Sequence, residues 1–357
     1  MDLPRTTPSN SAPLFVGAAT GLITGQAKAF REACAAVPTA RVVDASFERK
    51  LDVISFPVRL FVGFIQTNSA VYFTSSRSWR GFLTRDIPVI LLGTVFRRRI
   101  INHLHGNDFE SFRTGTGRLS RCLIDIMYSQ IDTSVAPDKT LLSQYSMFER
   151  MKLIEIPNFF DDDIATTQMK KSRDEVINVL YLSNLIFSKG FTVAVEAVDI
   201  LVSEGLPVKL TICGHPIGDA DMSVDQIETY LRNIAAKDYI TVAGPVYGAR
   251  KADVLSKADV FVLPTTYPTE AAPISIIEAF AAGCFVVSSD HGMISRMVDG
   301  FHADLVQPTP HEIASSISRF YFSEARADIS LSNRTRAMAV YSSGRYRSGI
   351  RNLFNGA

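Results

Sequence analysis

The sequence predicts an α/β protein of two parallel-sheet domains, and three observations carry that expectation. Short β-branched or apolar runs alternate with longer amphipathic stretches through nearly the whole length, the pattern of βα units around parallel sheets. The 357 residues exceed what one hydrophobic core ordinarily supports. Midway, the polar stretch FFDDDIATTQMKKSRDE ends one series of strand-like runs, and a second series follows it.

Taken in order, the first series places strands near APLFVGAA (12–19), ARVVDA (40–45), AVYFTS (70–75), RIINHLHG (99–106), TSVAP (133–137) and KLIEIPN (152–158). The second places them at VINVLYLS (176–183), VKLTICG (208–214), YITVAG (239–244), VFVLPT (260–265) and CFVVSSD (284–290). Helical patterns fill most gaps. The linker falls between the two series, giving domains 1–165 and 166–330. Residues 331–357 then form C-terminal helices whose arginines, Arg334, Arg336, Arg345, Arg347 and Arg351, read as a solvated face. Open parallel sheets take ligands at the carboxyl ends of their strands, so chemistry is expected there, in the cleft that two such domains create.

Composition narrows the partners. Hydrophobic residues make up 46% and charged residues 20%, ordinary for a soluble globular chain, and a net charge of +1 gives no global pull toward nucleic acid or membrane. The four cysteines are scattered, with no CxxC pair, so they read as small core residues in a reducing compartment. The polar, proline-rich start and the absence of a run of about 20 apolar residues lead us to expect no leader, no spanning helix and a cytoplasmic location.

The segment TEAAPISIIEAFAAG (269–283) keeps two carboxylates, Glu270 and Glu278, in an otherwise apolar helical pattern. Glu270 lies in the loop after VFVLPT, Pro273 at the expected first helical position, and Glu278 on the second turn. A helix start offers free N–H groups and a positive dipole end, a seat for a phosphate or diphosphate. Ionised carboxylates only accept hydrogen bonds, so their partners there are hydroxyls. A nucleotide sugar supplies both kinds of group, with one Glu on the transferred sugar and the other on the ribose. Lys189, followed by Gly190 in SNLIFSKGF (183–191), stands where a strand opens into a helix and can meet diphosphate oxygens.

SKGF, CGH, AGPV, ADVFVLPT and the E-x7-E pair together resemble the nucleotide-sugar domain of retaining GT-B glycosyltransferases of family 4, over about 176–322. TGQAKAF (24–30), HLHG (103–106) and IPNFF (156–160) resemble, more loosely, the acceptor domain of polysaccharide-assembly members. The resemblance implies two Rossmann-like domains, 1–165 on the acceptor side and 166–330 on the nucleotide-sugar side, with the C-terminal helix packing back on the first. It implies that Glu270 binds donor-sugar hydroxyls, Glu278 the ribose and Lys189 the diphosphate, with the backbone at Ala272, Pro273 and Ile274 facing sugar and phosphate. It places His105 near the reacting carbon. Where family members commonly carry an arginine five residues before the lysine, this chain has Asn184, which removes a guanidinium from beside the leaving group.

Other features have plainer readings beside functional ones. Asp219 and Asp221 mimic a metal-holding DxD, but their Gly- and Asp-rich loop suits a solvated turn. The GAATGLITG stretch (17–25) lacks the G-x-G-x-x-G spacing, although Asp44 nearly closes the second strand, so Gly21, Thr24 and Gly25 are read as a loop available to acceptor or donor. His103 and His105 flank Leu104 and point the same way, without a third metal ligand, and His215 ends another strand. Segment 77–99 combines an apolar helical pattern with six arginines against one acid, which suits either a domain helix with basic ends or docking to an anionic membrane face.

The expected function is transfer of a sugar from a nucleotide diphosphate donor to a glycan acceptor, a lipid-linked polysaccharide intermediate, with retention and without metal or other cofactor. The alternatives are a nucleotide-sugar epimerase of GT-B architecture and a non-catalytic glycan-assembly partner.

Overall fold

A computed structural model describes residues 12–20, 24–47, 50–169 and 176–355. Two compact units emerge, one formed by Met1–Asn158 with Gly344–Ala357 and the other by Phe159–Ser343.

The first unit is built on a six-stranded parallel sheet of β1 (Leu14–Gly17), β2 (Arg41–Asp44), β3 (Val71–Thr74), β4 (Ile100–His103), β5 (Thr133–Ala136) and β6 (Lys152–Glu155), in the order β2-β1-β3-β4-β5-β6. The second unit repeats the plan with β7 (Ile177–Leu182), β8 (Val208–Cys213), β9 (Ile240–Val242), β10 (Val260–Leu263), β11 (Phe285–Ser288) and β12 (Ala303–Leu305), ordered β12-β11-β10-β7-β8-β9. Strands β1, β3, β4, β5, β10 and β11 are buried at every position, as expected of strands covered by helices on both faces. Eleven of these strands match the apolar runs of the sequence. The twelfth, β12, is a three-residue edge strand too short and too exposed to leave a pattern.

The units divide between Asn158 and Phe159, ahead of the polar stretch rather than within it at 165/166. Phe160 and Ile164, 1% and 2% exposed, belong to the core of the second unit, which draws the start of that stretch in with them. The other boundary lies at 343/344 instead of 330/331, because the helix Arg326–Val340 packs in the second unit. Only the helix Ser343–Asn352 and its tail return to the first unit. There Tyr346 donates its hydroxyl to Ala29 O at 2.9 Å, Arg99 donates to Leu353 O at 2.8 Å, and Ile350 and Leu353 are buried.

The C-terminal arginines are not simply a solvated face. Arg334 donates to the carbonyls of Ala281 (2.9 Å), Ala165 (2.8 Å) and Thr167 (3.1 Å), collecting two helix ends, and Arg347 pairs with Glu32. Arg336 lies 5.2 Å from the Phe301 ring centroid. The basic segment 77–99 is likewise tied down: Arg77 pairs with Asp108, Arg85 with Asp86, Arg98 bonds Thr67 O and Asn68 O, and Arg99 bonds Leu353 O. Arg80 and Arg97 remain exposed. Among the described residues no helix is long and apolar enough to cross a membrane.

One buried amide staples the second unit. Asn333 is 0% exposed; it accepts from His302 N at 2.8 Å and donates at 2.9 Å to both Cys284 O and His302 O. Asn333→Ala leaves these backbone groups without their partner and is expected to lower unfolding free energy by about 2–4 kcal/mol, measured by urea denaturation.

Candidate functional site

In the second unit the polar residues collect at the carboxyl ends of β7, β8 and β10. After β7 the chain makes a short 3₁₀ turn, Phe187–Lys189, and Gly190 then takes a left-handed conformation (φ 79°, ψ 24°) before the helix Phe191–Ser203. A Cβ at Gly190 would stand 2.3 Å from Pro264 O, so glycine is required both by φ and by contact with the loop after β10. That contact brings the two loops together, and Thr266 N donates to Ser188 O at 2.7 Å.

Lys189 and Glu270 meet as a result. Lys189 Nζ lies 3.0 Å from Glu270 Oε2, with both side chains largely buried, and 5.1 Å from the centroid of the Tyr267 ring. The ammonium is close enough to pair in charge but is not aligned to donate, so Glu270 Oε2 is buried without a hydrogen bond. A buried carboxylate oxygen in that state is primed for a hydroxyl donor. Burial, and after it the charge of Glu270, raises the phenol of Tyr181 far above its ordinary range. Gly292 (φ 59°) passes so close that a Cβ would meet Glu270 O at 2.3 Å, while His291 Nε2 contacts Tyr267 O at 2.7 Å.

Pro273 is the N-cap, with ψ 115°, and not the first helical residue, which is Ile274. It has no N–H, so of the three positions expected to face a ligand through their amides Pro273 cannot donate. Glu278 keeps its place on the second turn of Ile274–Ala281. Its Oε1 accepts from Lys251 Nζ at 2.6 Å, and the same ammonium reaches Asp161 Oδ2 at 2.5 Å. Burial alone would lower the Lys251 pKa, but Glu278 and then Asp161 raise it above its ordinary value. Sequence reasoning missed Lys251; a lone lysine on the amphipathic helix Gly248–Lys257 carries no signal of its partner.

Asp219 is tied to the loop that carries Lys189. Its carboxylate accepts from Ser188 N and Oγ, both at 3.1 Å, and from Asp221 N and Met222 N at 3.1 and 3.0 Å. It does shape a turn, as expected, but that turn also holds the residue before Lys189. Asn184 and His215 are exposed in the adjoining loops, joined through Leu185 N to His215 O at 2.9 Å.

The first unit gathers its polar residues at the same edge of its own sheet. Asp44 accepts from Ala19 N, Thr20 Oγ1 and Ser46, so it closes the loop after β1 instead of reaching for a ligand. Thr24 caps the helix Gly25–Ala36 by accepting from Ala27 N at 3.2 Å, Gly25 is exposed, and Gly21 lies outside the described residues. His103 and His105 do point the same way, their rings stacked with centroids 4.0 Å apart. His103 Nδ1 meets Tyr72 OH at 2.5 Å; His105 Nε2 is buried and unpartnered. Burial, then the charge of Arg77, pushes the His105 pKa down to about 3, so its imidazole is neutral near pH 7.

The solved structures most informative for this arrangement share its architecture. HepE from Anabaena, in complex with UDP and glucose, superposes with a TM-score of 0.74 at 14% identity, covering 97% of this chain and 100% of that one. The fold is GT-B. Sucrose-phosphate synthase from Thermosynechococcus elongatus superposes with a TM-score of 0.68 at 16% identity, over 96% and 98% of the two chains. Residues 177–322, within the second unit, match the family model Glycosyl transferases group 1. Sequence relatives include the amylovoran biosynthesis glycosyltransferase AmsK of Erwinia amylovora, 26% identical over 45% of this chain and 40% of the relative. Mannosylfructose-phosphate synthase of Agrobacterium fabrum is 26% identical over 52% and 44%. The chain thus spans less than half the length of these two relatives.

Two outcomes follow from the charges described. Lys251→Met removes the ammonium that Glu278 and Asp161 share and is expected to cost about 2–4 kcal/mol in denaturant unfolding, with part of the loss recovered by adding Glu278→Met. The folded chain holds His105 neutral down to about pH 3, whereas an unfolded chain protonates it near 6.5. Its contribution is therefore complete above pH 6.5 and lost progressively toward pH 3. His105→Asn should lose less thermal stability than wild type across that window; parallel losses would contradict this assignment.

Proposed function

We propose that the protein is a glycosyltransferase that moves a sugar from a nucleoside diphosphate donor to a glycan acceptor, a lipid-linked polysaccharide intermediate, with retention at the anomeric carbon. The observation that carries this is the buried Lys189 and Glu270 pair beside the start of the helix Ile274–Ala281, with Glu270 Oε2 accepting no hydrogen bond. A cation and a helix N-terminus suit a diphosphate, and an unsatisfied carboxylate oxygen suits a sugar hydroxyl. The group 1 match over 177–322 supports the same reading, and UDP in HepE makes a uridine nucleotide the first donor to test.

In this mechanism Glu270 orients the transferred sugar, and Glu278, steadied by Lys251, holds the ribose. Lys189 and the amides at the helix start, Ile274 among them, take up charge as the diphosphate departs, so the reaction is assigned no metal. The departing diphosphate accepts the acceptor's proton on the face it leaves, without a protein nucleophile. Neutral His105 can share a hydrogen bond with a sugar hydroxyl. Asn184 and His215, on exposed loops beside Lys189, are assigned to the donor, and Thr24 and Gly25 to the acceptor.

Glu270→Gln is expected to cut transfer about a hundredfold or more while nucleoside diphosphate binding, measured by calorimetry, is retained. Transfer at the wild-type rate would end the assignment of Glu270. Turnover of the donor without any second substrate would point instead to an epimerase.

A further inference from the structure

Among the described residues, three helices of the first unit expose apolar surface. Three of its crossovers, β2 to β3, β3 to β4 and β4 to β5, run in the same direction across the sheet, so right-handed connections put their helices on one face. These are Lys50–Gln66, the helix that begins at Trp79, passes through a π-helical turn at Phe82–Asp86 and ends at Val95, and Arg118–Tyr128. The first packs against the second and the second against the third.

Their outward positions are apolar. From Leu51 to Gln66 every exposed residue is aliphatic, aromatic, Pro, Ser or Gln, and Ile87–Val95 contains no charged residue at all. Ile54 is 72% exposed, Val95 74% and Leu119 89%. Single exposed apolar side chains need no explanation, but a continuous face across three adjacent helices marks a binding surface. A helix that is apolar all round is ordinarily buried or in contact with lipid.

Charge selects the occupant. Arg80 near the start of the second helix, Arg97 just past its end and Arg118 at the start of the third are all exposed on or beside these helices, and Asp52, in the first turn of the first helix, is half-buried. Asp86 is buried, accepting from Ser76 N and Tyr128 OH, and Asp125 is paired with Arg113. An apolar face with a cationic margin matches an acyl boundary under anionic headgroups. A second copy of the chain would bring the same positive margin against itself. We infer that the first unit lies on an anionic phospholipid bilayer through the outer face of these three helices. Contact is mainly apolar, since four of the six arginines in 77–99 are held by protein groups. The inference does not rest on the transfer reaction, because vesicle binding is measured without any sugar.

The test uses the whole protein with vesicles of phosphatidylglycerol and phosphatidylethanolamine. The protein should sediment with them, and Trp79, the one tryptophan of the sequence, should emit at shorter wavelength when bound. Affinity for phosphatidylcholine vesicles should be about tenfold weaker, from loss of the headgroup attraction on the arginines. The double variant Ile54→Glu, Ile65→Glu should weaken vesicle binding at least tenfold with an unchanged thermal midpoint, since both positions face solvent. A wild-type protein that stays in the supernatant with anionic vesicles would overturn the inference. So would self-association in lipid-free buffer that the double variant abolishes, which would assign the face to a second copy.

Discussion

In an all-parallel sheet the strand interiors are covered on both faces, so polar side chains are pressed to the strand ends. That constraint organises both units. In the second, Lys189 follows β7, Asp219 follows β8 and Glu270 follows β10, and each is held by backbone from a neighbouring loop. In the first, Asp44, Ser75, His103 and His105 occupy the corresponding edge. The polar chemistry is concentrated there because the fold leaves it little other room.

Within the second unit two lysines and two glutamates divide the charge into separate pairs. Lys189 with Glu270 is incomplete, a near contact without an aligned hydrogen bond. Lys251 with Glu278 is closed, and Asp161 adds a third member. The first pair has capacity left for a ligand. The second holds a carboxylate in place on its helix, so the two glutamates of the E-x7-E spacing do different jobs although they look alike in sequence.

Much of this is legible in the sequence. Long apolar runs such as VINVLYLS announce buried parallel strands because they are almost wholly apolar, Asn178 being tied to Asp259, and SKGF announces its turn because Gly190 alone tolerates the left-handed approach to Pro264. What stayed hidden depended on partners distant in the chain. Asp219 looked like a solvated turn because its hold on Ser188 spans 31 positions. Arg334 looked like surface because the carbonyls it collects come from other helices. The apolar face of the first unit was hidden for the opposite reason: its residues resemble core, and only the placement of the helices shows them exposed among the described residues.

The return of the chain to its first unit carries a consequence for biogenesis. Residues 159–343 form one uninterrupted unit, so all the segments it needs emerge from the ribosome in succession. The earlier unit is split, and Tyr346, Ile350 and Leu353 fill its core from the far side of that insertion. Its core can therefore be completed only after the sequence of the other unit has been synthesised.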